Sequence, residues 1–261
     1  MLYWTCNAGP TRGRRLTTPC AVESSTLGGS ARTAVLFDLD GTLLDIDGEA
    51  FLDAYVDALT AWWQPPQPDR FRQQIMAASV PIFAHHPDAT NGDIFRRHLG
   101  DLLALSPGAV ADRIHHFHRE QLGALRFPAQ PRPEARATVR RCQALGLRVA
   151  VATTPIYLPE VIWLRLGWAG LDDIPWDLVT HSEVMHTCKP AVAYYHEVAH
   201  LVGVPPAACC MVGDDPLQDG PAERAGMALL LRDAPGAAGW RQLDDVTAVL
   251  AGAAPGAPPP P

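Results

Sequence analysis

The tightest constraint in this chain is an apolar run that stops on acid. Ala34-Val35-Leu36-Phe37 is apolar at every position and leads directly into Asp38-Leu39-Asp40-Gly41-Thr42. A short strand that is apolar on both faces must be covered on both, as in a parallel sheet flanked by helices. In such sheets ligands collect beyond the carboxyl ends of the strands. Two aspartates placed there stand where chemistry is done, although an Asp-Gly pair after a strand can also be a simple turn.

The rest of the chain supports the sheet. Residues 48 to about 126 read as helices only. Ala50–Trp63 is periodic and is stopped by Pro65-Pro66, and further helices are expected near Arg70–Ala78, Asp93–Leu105 and Pro107–Leu125. After Pro131 strands and helices alternate: helix Glu134–Leu145, strand Leu147–Ala152, helix Glu160–Leu166, strand Leu178–Thr180, helix Ala191–Val202, strand Cys209–Val212, helix 217–225 and strand Met227–Leu231. This alternation defines an α/β fold with a parallel sheet, interrupted after its first strand by an all-helical block.

Reading the strand ends gathers one set of residues. The first strand ends in Asp38 and Asp40, the second in Thr153-Thr154, and the fourth in Gly213-Asp214-Asp215 with Asp219 on the turn beyond. Lys189, which precedes the helix after the third strand, is the only lysine in a chain whose other basic residues are arginines. So many carboxylates repel one another unless a cation lies among them, and an all-oxygen, hard ligand set points to Mg²⁺. A carboxylate beside such a cation can attack phosphorus to form an aspartyl-phosphate. A second carboxyl two residues on can protonate the leaving oxygen and then activate water. A lysine and hydroxyls can hold the phosphoryl oxygens.

FDLDGTLLD, the threonine of VATTP, the Lys-Pro of CKP and VGDDPLQD stand in the order and spacing that resemble the haloacid dehalogenase (HAD) superfamily, over residues 33 to about 235. The resemblance implies a Rossmann-like parallel sheet core (33–46 and 127–250) with an inserted helical cap domain (47–126). It implies Asp38 as nucleophile, Asp40 as general acid and base, and Thr153 and Lys189 as phosphate ligands. Mg²⁺ would be held by Asp38, the main-chain carbonyl of Asp40, and Asp214. Asp215 and Asp219 are further metal candidates, with Asp219 expected to act through water or the lysine. Thr154 stands where relatives often carry asparagine, which leaves its contact with substrate open. The dehalogenases of the superfamily lack the second aspartate, since a halide needs no acid to leave. Asp40 therefore favours hydrolysis of small organic phosphate monoesters, with a phosphomutase or a catalytically weak phosphometabolite-binding protein as alternatives.

HEVAH, residues 196–200, matches another pattern. Two histidines four apart on a helix with an adjacent glutamate can hold zinc in a peptidase. The extended zinc pattern needs a third histidine at position 206, which is a proline. Ala191, Tyr194, Tyr195, Val198, Leu201 and Val202 form an apolar stripe that leaves His196 and His200 facing solvent. The cap histidines His85, His86, His98, His115, His116 and His118 fit a solvated helix face, with one or two of them at a substrate cleft.

Composition sets the remaining limits. A net charge of −7 argues against a nucleic-acid surface. The six cysteines show no CxxC spacing, so free thiols in a reducing compartment, the cytoplasm, are expected. No apolar run is long enough to span a membrane. Residues 1–32 and the Pro-rich 251–261 are expected to be disordered. A small phosphorylated metabolite is the expected partner.

Overall fold

The computed structural model describes residues 32–233 together with 239–240, 243, 245–246 and 250. The expectations for residues 1–31 and 251–261 lie outside these. Arg32, placed in the disordered segment by sequence, instead donates from Nη1 to the Ala207 carbonyl at 2.6 Å.

Strand β1 (Ala34–Phe37) is the hinge of a six-stranded sheet. After the short β2 (Leu44–Ile46) the chain runs through four helices, α1 (Gly48–Trp63), α2 (Pro68–Ser79), α3 (Asn91–Leu103) and α4 (Pro107–Gln121). It returns through β3 (Ala129–Pro131), α5 (Ala135–Ala144), β4 (Arg148–Val151), α6 (Pro159–Trp168) and β5 (Leu178–Val179). It finishes with α7 (Val192–Val202), β6 (Cys209–Gly213), α8 (Pro221–Arg224), β7 (Ala228–Arg232) and β8 (Gly239–Trp240). The sheet order is β5-β4-β1-β6-β7-β8, and every neighbouring pair is parallel. The chain first builds outward on one side of β1 and then on the other. The crevice between β1 and β6 is therefore a topological switch point, where open α/β sheets bind ligands.

Alternation explains how the sheet is covered. Val35 and Phe37 of β1 join Val149, Val151, Cys210 and Val212 in one core, closed by α5 and α6. Ala34 and Leu36 point the other way and pack with Ala150, Cys209 and Met211 beneath Tyr194, Tyr195, Val198 and Val202 of α7. This is the period of two expected of a strand buried on both faces.

The inserted helices carry their own core. Val56 and Leu59 of α1, Phe71 and Ile75 of α2, Leu99 of α3, and Val110, Ile114 and Phe117 of α4 pack together. Caps set the helix starts: Asp47 accepts from the Ala50 amide, Ser106 from that of Ala109, and Thr90 with Asp93 forms a capping box. The helices match the expected block, with boundaries shifted by a few residues.

Two features differ from expectation. β2 and β3 form an antiparallel pair, Leu44 opposite Pro131 and Ile46 opposite Ala129, at the two ends of the helical insertion. The expected helix 217–225 is helical only over Pro221–Arg224, because residues 215–219 turn back to place Asp219.

Candidate active site

The carboxyl ends of β1, β4 and β6 bring the predicted residues together. Asp38 follows β1 directly, and its amide donates to the Val212 carbonyl of β6 at 2.9 Å. Lys189 is 1% exposed; its Nζ lies 2.9 Å from Asp38 Oδ1 and 2.6 Å from Asp219 Oδ1. Asp219 is completely buried, and its other oxygen accepts the amides of Asp214 and Asp215 at 3.1 and 3.2 Å. Asp219 thus fixes both the lysine and the loop that carries Asp214.

Asp38, Asp214 and Asp219 each offer an oxygen within 4.8 Å of the others. Burial raises the Asp38 carboxyl to about 8; Lys189 opposes the rise, and Asp219 and Asp40 add to it. Burial also raises Asp214, against the hydrogen bond from Thr42 and the charge of Arg232. Burial works against the Lys189 charge too, but Asp38 and Asp219 outweigh it and keep the ammonium protonated. Burial is the main cause of both shifts, and the three clustered carboxylates share a single lysine, which bonds Asp38 and Asp219. The donor set is oxygen only, so a hard divalent cation fits it.

Two glycines permit the close approach. Gly41 has φ +82°, and a Cβ there would lie 2.2 Å from Asp214 Oδ2. A Cβ on Gly213 would lie 2.0 Å from Asp219 Oδ2. Thr42 is buried and donates to Asp214 Oδ1 at 3.1 Å.

The other predicted residues have distinct surroundings. Asp40 is ion-paired through Oδ2 with Arg165 of α6, while its Oδ1 is buried with no hydrogen-bond partner. Thr153 is buried, and its carbonyl accepts the hydroxyls of Thr180 and Tyr194 at 2.8 and 2.9 Å. Thr154 is half-buried, and its carbonyl accepts from the Ile156 amide. Asp215 is not part of the three-carboxylate cluster. Its Oδ1 instead accepts the amides of Leu217 and Gln218, closing the turn after β6.

Arg165, Arg232 and Tyr194 were not anticipated as site residues. Arg165 is 1% exposed and its guanidinium lies over the rings of Tyr157 and Phe51, at 4.7 and 5.2 Å. Arg232 donates to the Gly41 carbonyl at 2.7 Å and lies 3.8 Å from Asp214. Tyr194, read as part of an apolar stripe, also carries the hydroxyl that fixes Thr153.

The HEVAH segment lies on α7. His196 and His200 are exposed, as expected, while Glu197 accepts from the amide and ring Nδ1 of His186. The glutamate is thus tied to a different loop. Leu201, expected in the buried stripe, is exposed.

Comparison with known proteins bears on the family and the fold. The family model of the haloacid dehalogenase-like hydrolases matches residues 33–226, and the chain belongs to that family. No curated protein matches the chain. Among solved structures it is similar to a 2-haloacid dehalogenase from Pseudomonas syringae pv. Tomato DC3000, at 23% identity and a TM-score of 0.56, over 84% of this chain and 98% of that one. It is also similar to a HAD phosphatase from Thermococcus onnurineus (22% identity, TM-score 0.49, 85% and 99% covered). A third similar structure is a predicted phosphoglycolate phosphatase from Haemophilus somnus 129PT (16% identity, TM-score 0.48, 84% and 98% covered). At these identities the first likeness speaks for the fold alone, and the other two carry no argument.

Proposed function

We propose that this hydrolase is a Mg²⁺-dependent phosphatase of small organic phosphate monoesters working through an aspartyl-phosphate. The observation that carries the reading is Asp40. It stands two residues after Asp38 with one oxygen anchored by Arg165 and the other buried without a partner. A halide leaves as a stable anion, whereas an alkoxide needs a proton, so a held carboxyl with one free oxygen suits an ester.

In this reading Asp38, the Asp40 carbonyl and Asp214 would hold Mg²⁺, which would supply charge neutralisation for the phosphoryl oxygens and for the nucleophile. Asp38 attacks phosphorus as the carboxylate. Asp40 gives its proton to the departing alcohol oxygen, and the bond from phosphorus to that oxygen breaks. Lys189 and the Thr153 and Thr154 segment hold the transferring group. Asp40, now ionised, takes a proton from water, which attacks phosphorus and restores Asp38. Asp219 keeps the lysine and the Asp214 loop in place. The helical insertion acts as a cap that excludes bulk water. A small phosphorylated metabolite, rather than nucleic acid or membrane, is the partner, and four buried free cysteines accord with a cytoplasmic setting.

The test is phosphate release from a panel of monoesters with Mg²⁺ and with EDTA, for the wild type and Asp38→Asn. Metal-dependent release that vanishes in the variant supports the reading. Halide release from 2-haloacids with no phosphate release from any ester would replace it with a dehalogenase.

A further inference from the structure

The helical insertion contains a partly open cavity of about 110 Å³ that faces the loop after β4. Its cap wall is apolar, made chiefly by Leu59, Ile75, Met76, Phe83, Phe95 and Ile114. Its floor is Ile156, Tyr157 and Leu158, separated from Thr153-Thr154 only by Pro155, and the Ile156 amide bonds back to the Thr154 carbonyl. Tyr157 is shared with the reaction centre, since its ring lies against Arg165, the partner of Asp40.

The polar side chains at the cavity are already engaged. Arg96 donates to Glu183 and Asp93 at 2.6 and 2.8 Å. Ser79 donates to the Ile75 carbonyl, Tyr55 pairs with His118, and His115 faces Glu160. The lining therefore offers an apolar surface with its charges neutralised, and a second anionic group buried there would have no free cation to meet. An apolar cavity of roughly 150 Å³ is large enough to take up benzene. This one is of the same order.

Resting on the phosphatase reading above, we infer that the preferred substrate is a monoester of a compact apolar alcohol, no larger than a single ring or a short branched chain, whose organic part enters this cavity. The geometry disfavours esters that carry a carboxylate or a second phosphate.

Benzyl phosphate, ethyl phosphate and 2-phosphoglycolate test this, because all three release primary alkoxides and differ mainly in what must be buried. Kcat/KM is measured for the wild type, and binding by calorimetry with Asp38→Asn, which does not require turnover. Burying a ring contributes about 1.5–3 kcal/mol, so benzyl phosphate should exceed ethyl phosphate by about tenfold or more in both. 2-Phosphoglycolate should fall below benzyl phosphate by a similar factor. Met76→Trp and the separate variant Ala111→Phe, each checked for folding by circular dichroism, fill the cavity and should collapse the benzyl-to-ethyl ratio towards one. Equal binding of benzyl and ethyl phosphate, or a ratio untouched in both folded variants, overturns the inference while leaving the phosphatase reading intact. Preferential binding of benzyl phosphate without turnover of any ester sustains the cavity assignment and sinks the phosphatase reading instead.

Discussion

Asp219→Asn removes one charge and almost no volume, yet it should be among the most damaging single changes in the core. Both oxygens of Asp219 face donors, Lys189 Nζ on one side and the amides of Asp214 and Asp215 on the other. An asparagine must turn its NH₂ towards one of them, so a donor meets a donor in either orientation. Lys189 is also left with Asp38 as its one carboxylate partner among the described residues. Breaking a buried pair by removing one partner costs about 3–5 kcal/mol. For a domain of this size each kcal/mol moves the midpoint by about 2–4 °C, so the expected fall in Tm is about 6–20 °C. The assay is thermal unfolding followed by circular dichroism in EDTA, which separates fold stability from metal binding. The change should couple with Lys189→Met, since both variants disrupt one network, and a double-mutant cycle should return an interaction of about 0.5–3 kcal/mol. A fall in Tm below about 3 °C, or strict additivity of the two variants, would refute the view that Asp219 anchors the lysine and the metal loop.

Other outcomes follow from the same geometry. Gly41→Ala places a Cβ 2.2 Å from Asp214 Oδ2 at φ +82°; it should cost about 1–2 kcal/mol from the backbone alone, and calorimetry should show Mg²⁺ affinity reduced about 10–100-fold. Asp40→Asn should lower kcat/KM by about 10²–10⁴ for alkyl esters, and by much less for 4-nitrophenyl phosphate, whose leaving group needs no proton, while kcat falls for both because hydrolysis of the aspartyl-phosphate loses its base; steady-state assays of both substrates separate these. Because Asp38 is raised to about 8 in the metal-free site, Mg²⁺ binding below that pH should release a proton, and affinity should climb with pH and level off above it. At Asp38 the folded metal-free chain then binds more protons than the unfolded one up to about pH 8. Its stability should therefore fall between pH 6.5 and 8, a window above that in which the depressed pKa values of His118 and His181 act in the opposite sense. Urea unfolding in EDTA across that range reads it. Glu197→Gln should leave no trace in zinc content, which should be absent in the wild type by elemental analysis, since Glu197 is tied to His186 and not to the helix's own histidines.

What was legible in the sequence was whatever a strand end dictates. Asp38, Thr153 and Asp214 each follow a short apolar run directly, so locating the run locates the side chain at the sheet rim. Lys189 could be read because the chain has no other lysine. Arg165 and Arg232 could not. Arg165 lies on a helix whose apolar residues surround it, and only tertiary packing against Phe51 and Tyr157 shows that the guanidinium is buried. Arg232 closes β7 and reaches Gly41 across a sequence separation that no local pattern encodes. The β2–β3 pair was missed for the same reason: two three-residue strands pair across the whole helical insertion, a separation no local pattern encodes. The roles of Asp215 and Asp219 depended on which acid turned inward. Gly213 leaves that room, since a Cβ there would strike Asp219.

The most direct test of the central claim is a single-turnover reaction with Mg²⁺ and a reactive monoester, quenched in acid and mapped by peptide mass spectrometry. The account predicts one phosphoryl group on the peptide carrying Asp38, absent in Asp38→Asn and longer-lived in Asp40→Asn. Phosphate released at full rate with no phosphoryl group on Asp38 at any time point would contradict it.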